Sequence, residues 1–529
     1  MDARKIMRSA ALLALAATLT VPPGPVQAAA PAPGNTDFNG DGYNDVAVGS
    51  PDYVGYAGTE NSGMVAVLYG GPNGLNGQHI FRPLPGCTSW RSCTRWGEQL
   101  SAADIDANGK TDLVFEGSYD LEARSWTPLG ITTVERRVFG PVAFPWKMAA
   151  GQFDDQPGAD IIAPWKTGYY WDGVGGWYNR AQGIVLHGFD NSALFSLKSN
   201  TAGDVDGDGR LEMAIVADKR KGSGDLGLHL WLADELHRAP VKLIELGSPT
   251  TCTPPSLIGR VCPKGDSQVA MGDVTGDGHI DLVMLTPSTA SIQVWYGSAT
   301  GLSTHPGYTT YLSWLATGAG LSPTLTVGDV TGDGAAEIAI GAAGATVSGH
   351  SEAGAVAVIP GSANGPVINN AQIVTQDGLG SIGDGALNPT QPPTPTPTAT
   401  PTPTVTPTLT ATPRSTWPPV PEPTWDPQPT TVPEAISAPS AATGPLPDPI
   451  GEQSQAGDQF GKSVTIIDVT GDGKGEVIVG APAKNGEAGM LVVLRGASTG
   501  VSATDAQVVH PRPIGATYPR ARLGQVLLR

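Results

Sequence analysis

Basic residues are scarce in this chain: 31 Lys and Arg stand against 49 Asp and Glu, for a net charge of −18. A surface of that sign repels nucleic acid and anionic lipid, so neither is expected as a partner. Charged residues of both signs make up only 15% of the 529 residues, too few for a largely helical, salt-bridge-laced protein. Long apolar runs are missing after the N-terminus, which excludes a helical membrane span. Cysteine is rare as well. Cys87 and Cys93 are close in sequence, as are Cys252 and Cys262, and two local disulfides are the simplest pairing in an oxidising compartment. A four-cysteine zinc site is the rival reading, and neither spacing resembles the usual CxxC.

What is abundant is Gly (70) and Pro (48), the punctuation of many short strands and turns. The first residues have the layout of an export signal. Arg4, Lys5 and Arg8 precede the apolar stretch Ala10 to Val21, and Val26-Gln27-Ala28 offers a small-residue cleavage site. The apolar stretch, about 12 residues, is too short to span a bilayer. Residues 1–28 are therefore expected to be a signal peptide, and the mature chain to be secreted or held at the cell surface.

One pattern then recurs along the chain. Asp37 to Asp45 reads DFNGDGYND, Asp104 to Asp112 reads DIDANGKTD, and Asp204 to Glu212 reads DVDGDGRLE. Asp273 to Asp281 reads DVTGDGHID, Asp329 to Glu337 reads DVTGDGAAE, and Asp468 to Glu476 reads DVTGDGKGE. A seventh, eroded copy, QFDDQPGAD, runs from Gln152 to Asp160. Each copy leads into an apolar run, then an alternating strand, then in several cases a Gly-rich turn such as GSATG at 297–301 or GASTG at 496–500. The unit is strand, loop, strand, loop, strand, turn, strand: a four-stranded antiparallel blade.

The ends of the chain extend this reading. Trp96-Gly97 and Phe460-Gly461 stand at a fixed distance before their loops, but no such strand precedes Asp37. Leu523-Gly524 begins the same strand with no loop after it. The expected fold is thus all-β: a seven-bladed β-propeller of four-stranded antiparallel blades, its ring closed by the C-terminal strand pairing into blade 1. Pairing the ends removes the exposed edges of an open sheet. Residues 37–388 hold blades 1 to 6, and residues 451–529 hold blade 7 and the closing strand. Residues 389–450 carry 20 of the prolines, alternating with Thr, and read as a Pro/Thr-rich disordered insertion open to O-glycosylation.

In the six intact loops, positions 1, 3, 5 and 9 carry side-chain oxygen and position 6 is Gly. Hard oxygens converging on one point suit calcium. The expected metal residues are Asp37, Asn39, Asp41, Tyr43 and Asp45; Asp104, Asp106, Asn108, Lys110 and Asp112; Asp204, Asp206, Asp208, Arg210 and Glu212. The later loops add Asp273, Thr275, Asp277, His279 and Asp281; Asp329, Thr331, Asp333, Ala335 and Glu337; Asp468, Thr470, Asp472, Lys474 and Glu476. Position 7 varies because only its backbone carbonyl would be used. About six Ca²⁺ sites are expected, and none in blade 3, where Gln152 and Gln156 replace acids. An EF-hand is excluded, because position 12 is Val48, Phe115, Ile215, Met284, Ile340 or Val479 and lies in a strand.

DVTGDG, then Gly480-Ala481-Pro482 (compare Gly49-Ser50-Pro51), with Phe460-Gly461 upstream, resembles the FG-GAP repeat of integrin α subunits. The resemblance implies a propeller with calcium in the loops of the lower face and partner recognition on the upper face. The leg domains and transmembrane helix of integrin α are missing, so heterodimerisation and signalling are not carried over. It implies an adhesion or protein-binding module that is a monomer, with a carbohydrate-binding lectin as the alternative and a hydrolase as the least favoured.

The partner, an unidentified protein or glycan, is expected on the face opposite the calcium loops. Aromatics gather there: Tyr53 and Tyr56 in one loop, and Trp165, Tyr169, Tyr170, Trp171, Trp177 and Tyr178 in loop 165–178. The alternative is that these rings pack between blades. No catalytic residues are assigned. The GxSxG match at Gly496–Gly500 is the blade's own turn and not a nucleophile elbow.

Overall fold

A computed structural model describes residues 36–54, 62–82, 95–116, 120–127, 130–138, 148–153, 157–165, 174–179, 183–185, 197–218, 226–231, 243–247, 263–312, 323–381, 452–511 and 520–528. The expected signal peptide, all four cysteines, Tyr56, Tyr169, Tyr170, Trp171, Gln156 and the Pro/Thr tract lie outside them. Among the described residues no helix is long and apolar enough to cross a membrane.

The structure is all-β; the first copy of the nine-residue pattern leads directly into Val46–Gly49, and each later copy joins the first two strands of one antiparallel sheet. In the fifth sheet, for example, strand Gln268–Gly272 pairs with Asp281–Thr286, then Ser291–Trp295, then Tyr308–Tyr311. Among the described residues seven such sheets are present, six of four strands and one of five. The extra strand, Gly378–Ser381, folds back on Gln372–Thr375 at the outer edge of the sixth sheet, which corrects the expectation of four strands there. Gly378 makes this tight return possible, with φ at 138°. In the first sheet the outside place beside Val46–Gly49 is taken by Val526–Leu527 from the far end of the chain. First strands of successive sheets also contact one another along the chain, and strand Val526–Leu527 contacts both Ser463–Ile467 and Gln99–Ala103.

Second strands are buried end to end, as in Leu282 to Leu285 and Ile338 to Ile340, because both faces of a sheet meet neighbouring sheets. Alternate side chains therefore enter different clusters: Val46 and Val48 pack toward the seventh sheet, Ala47 toward the second.

A glycine lock fastens some of these contacts. A Cβ on Gly49 would lie 2.0 Å from the Gly97 carbonyl oxygen of the second sheet. Gly341 faces the Gly461 oxygen, and Gly480 the Gly524 oxygen, each at 2.1 Å. The aromatic or apolar residue before each of those partners, Trp96, Phe460 or Leu523, is buried and bridges a second glycine, Gly63, Gly354 or Gly489. Both halves of the lock are lost together elsewhere. Glu116, Pro164, Val216 and Leu285 replace the first glycine, and Pro145, Leu197, Asp266 and Ser322 the second. A side chain at one half leaves no room for the other's backbone.

Candidate metal loops

Each loop is built around its first aspartate. The backbone N–H of position 6 donates to it at 2.8–2.9 Å in all six intact copies, Gly42 to Asp37 Oδ2 and Gly109 to Asp104 Oδ2 among them. The N–H of position 7 donates to the side chain of position 5 at 2.8–3.0 Å, whatever residue stands at position 7. That explains the tolerance for Tyr43, Lys110, Arg210, His279, Ala335 and Lys474. Arg210 and Lys474 also reach back with their side chains to Asp208 and Asp472.

Position 4 requires a left-handed backbone in every intact loop, from Gly40 at φ 78° to Gly471 at φ 70°. Ala107 occupies it in the second loop at φ 56°, a conformation that costs a residue with a Cβ about 1 kcal/mol. Ala107→Gly is expected to raise stability by about 0.5–1 kcal/mol in denaturant unfolding. No gain, or a loss, would show that this loop is not strained.

Position 9 serves a different purpose from the other acids. One oxygen of Asp45, Asp112, Asp160, Glu212, Asp281, Glu337 and Glu476 accepts the backbone N–H of position 2, at 2.6–3.2 Å in all seven loops. These acids are 0–3% exposed. Position 2 is a buried apolar plug, Phe38, Ile105, Phe153 or Val, that seats the loop on its sheet. The other oxygen of Asp45 and of Asp281 holds the N–H of Gly70 and of Gly297, the first glycines of the Gly-rich turns. The eroded copy keeps Asp160 and Phe153, so the clamp is retained where the acids at positions 1 and 5 are lost.

Among the described residues two loops bring three carboxylates together. Asp104, Asp106 and Asp112 offer oxygens within 4.8 Å of one another, as do Asp204, Asp206 and Asp208. Asp112 is buried and Asp104 and Asp106 are partly exposed, so the three acids of the second loop face one another at the edge of the sheet. Where position 3 is Thr, its hydroxyl donates to the neighbouring acids, Thr275 to Asp281 and Asp273 and Thr470 to Glu476 and Asp468. Positions 1, 3, 5 and 9 carry only carboxylate, amide and hydroxyl oxygen, a donor set that suits a hard cation.

Burial dominates the electrostatics of position 9. It pushes Asp45, Asp112, Glu337 and Glu476 up to about 7, Glu212 to about 8 and Asp281 to about 6, with nearby loop acids adding to the effect. Folded values above the unfolded ones mean stability that is complete at acid pH and lost as pH rises through that range. In chelator the chain should therefore melt about 5 °C higher at pH 5 than at pH 8. A higher melting temperature at pH 8 in chelator would contradict this picture of the loops.

With the loops and locks in place, the family can be identified. FG-GAP repeat models match residues 29–68, 323–359 and 460–494, and an FG-GAP-like repeat model matches residues 273–340. The chain is an FG-GAP repeat protein. Four of its loops lie within the matched repeats, and the glycines of the locks are the two halves of the repeat's signature. No curated protein matches it in sequence. Among solved structures, the Dos1 propeller is similar at 9% identity and a TM-score of 0.34, over 57% of this chain and 63% of that one, so the chain spans less than two thirds of it. AofleA from Arthrobotrys oligospora is similar at 9% identity and a TM-score of 0.33, over 64% and 88%.

The described aromatics of residues 165–178 lie in two strands and not in one loop. Trp165 lies in strand Asp160–Trp165, and Trp177 and Tyr178 lie in strand Val174–Asn179, paired across the third sheet. Tyr53 is 1% exposed, packed among Val46, Val48, Met64 and Leu523, and is not a surface residue. Its burial follows from the lock beside it, since Gly63 N–H donates to the Tyr53 carbonyl and draws the loop inward. The position-2 plug and the position-9 clamp recur in all seven copies, although the loop acids alone did not reveal them. Their signal was the apolar residue at position 2.

Proposed function

We propose that this FG-GAP protein is an exported, closed seven-bladed β-propeller that takes up about six calcium ions and presents its opposite face to a protein partner. The convergence of three carboxylates in the Asp104 loop and again in the Asp204 loop carries the calcium reading. Bound there, calcium would neutralise facing carboxylates and tie the loop between its two strands. The circuit of first strands, completed by Val526–Leu527, supports the closed ring. A ring of packed sheets is a scaffold from which loops can recognise a partner.

The residues that hold calcium are those at positions 1, 3, 5 and 9, with the position-7 carbonyl. Titration calorimetry tests this directly. Uptake of about six Ca²⁺ is expected, falling by one in Asp206→Asn and unchanged in Asp160→Asn; no heat on titration would overturn the reading. For the partner, the purified ring immobilised on a sensor should retain cell-surface proteins in calcium and release them in chelator. Retention of glycans by an array in place of proteins would instead favour a lectin.

A further inference from the structure

Neighbouring loops are built against one another, always in the same direction. The N–H of position 8 in one loop donates to the position-1 carbonyl of the loop before it. Ala159 donates to Asp104 at 2.7 Å, Leu211 to Gln152 at 2.7 Å, Ala336 to Asp273 at 2.6 Å and Gly475 to Asp329 at 2.7 Å. Between the seventh loop and the first, Asn44 at position 8 uses its side chain, and its Nδ2 donates to the Asp468 carbonyl at 3.0 Å. The backbone at the head of each of these loops is thus held by the loop that follows.

Position 7 completes the contact, because its side chain lies over position 4 of the preceding loop. A Cβ on Gly40 would sit 3.2 Å from Lys110 Nζ, and one on Gly276 3.2 Å from the Ala335 Cβ. One on Gly332 would sit 3.0 Å from Lys474 Cγ, and one on Gly471 3.3 Å from the Tyr43 ring. In the second loop position 4 itself carries a methyl group, on Ala107, and there the covering residue is Gly158. A Cβ on Gly158 would lie 2.8 Å from the Ile105 carbonyl oxygen and 3.9 Å from the Ala107 Cβ. The side chain has passed from one partner to the other, as two close-packed surfaces require. Among the described residues nothing lies within 4 Å of a Cβ on Gly207, so the fourth loop is left uncovered at this point.

Basic residues at position 7 point in two directions. Lys474 Nζ turns back to Asp472 of its own loop at 3.5 Å, and Arg210 binds Asp208 in the same way. Position 5 of the second loop is Asn108, which has no charge to draw Lys110 back, and the Lys110 ammonium ends beside Gly40 of the first loop. We infer that the position-7 residue sets the calcium affinity of the loop before its own, and that Lys110 is the residue that weakens the first loop. This rests on the calcium reading above. The ammonium is a positive charge at the rim of a loop that takes a divalent cation, so repulsion lowers affinity there, most of all at low ionic strength. The fifth loop is covered by Ala335, which brings no such charge.

Calcium titration of the full chain in competition with a chromophoric chelator tests this with Lys110→Met, which keeps the stem and removes the charge. At low ionic strength one site is expected to gain about fivefold in affinity, a gain that shrinks in about 0.5 M salt. Lys110→Arg should bind like the parent. Asp41→Asn, in the first loop, should abolish the gain, whereas Asp106→Asn, in the second, should leave it in place. The reverse pattern would overturn the inference, because the lysine would then act on its own loop. No gain in a chain that still binds about six ions would overturn it too and leave the calcium reading intact; a parent that takes up no Ca²⁺ would sink both. Ala335→Lys is the converse variant, expected to weaken one site about fivefold unless Asp277→Asn has already disabled the fifth loop. Unchanged affinity in Ala335→Lys would show that position 7 does not act on the neighbouring loop.

Discussion

Chelation of calcium is expected to lower the melting temperature by more than about 10 °C, with the largest change at pH 7 and above. The reason lies in the position-9 acids. Each is buried, and burial alone lifts it toward neutrality, so the metal-free fold bears its full cost at the pH where a cation binds best. A cation that binds only the folded loop stabilises it by about 2.7 kcal/mol when free calcium is a hundredfold above Kd. Six loops in one cooperative fold multiply that effect, even with incomplete additivity. Differential scanning calorimetry in 1 mM-scale calcium and in EGTA measures it. Equal melting temperatures in the two conditions would mean that the loops are hydrogen-bonded turns and nothing more. Restoration by magnesium at equal concentration would argue for a smaller octahedral site instead.

Gly480→Ala is expected to cost about 3 kcal/mol, an unusually large effect for one added methyl group. Its backbone is not in the left-handed region, so the cost is purely steric. The new carbon would lie 2.1 Å from the Gly524 carbonyl oxygen and 2.4 Å from Ser463 Oγ, and the Gly524 backbone cannot rotate away as a side chain could. Ser463 Oγ already donates to that same carbonyl, so the segment at Gly524 would lose a hydrogen bond as well as its seat. Gly265→Ala is the control, since a Cβ there meets nothing within 4 Å. Urea unfolding of the two variants gives the comparison. If Gly480→Ala unfolds at the same midpoint as Gly265→Ala, the lock contributes nothing to stability.

Much of this architecture was legible in the chain because its repeat is local. The acids, the glycine at position 6 and the apolar run after position 9 lie within a few residues of one another, and short-range geometry fixes what they form. The pairing of Val526–Leu527 with Val48 and Gly49 was legible too, because a strand was missing at one end and spare at the other. Tyr53 was not, since its exposure depends on how Gly63 meets Trp96 in another sheet. The fifth strand Gly378–Ser381 was equally hidden: nothing in GLGS distinguishes it from a loop until Thr375 and Gly378 turn it back.

By itself, then, the sequence determined the repeat, the oxygen-rich loops and the all-β class, because each depends on residues adjacent in the chain. Only the tertiary structure decided which acids point into the loop and which are buried as clamps, and why glycine occurs in pairs at three junctions and at none of the other four. Those features depend on which backbones approach within van der Waals distance, and residues hundreds of positions apart share that distance only once the sheets have packed.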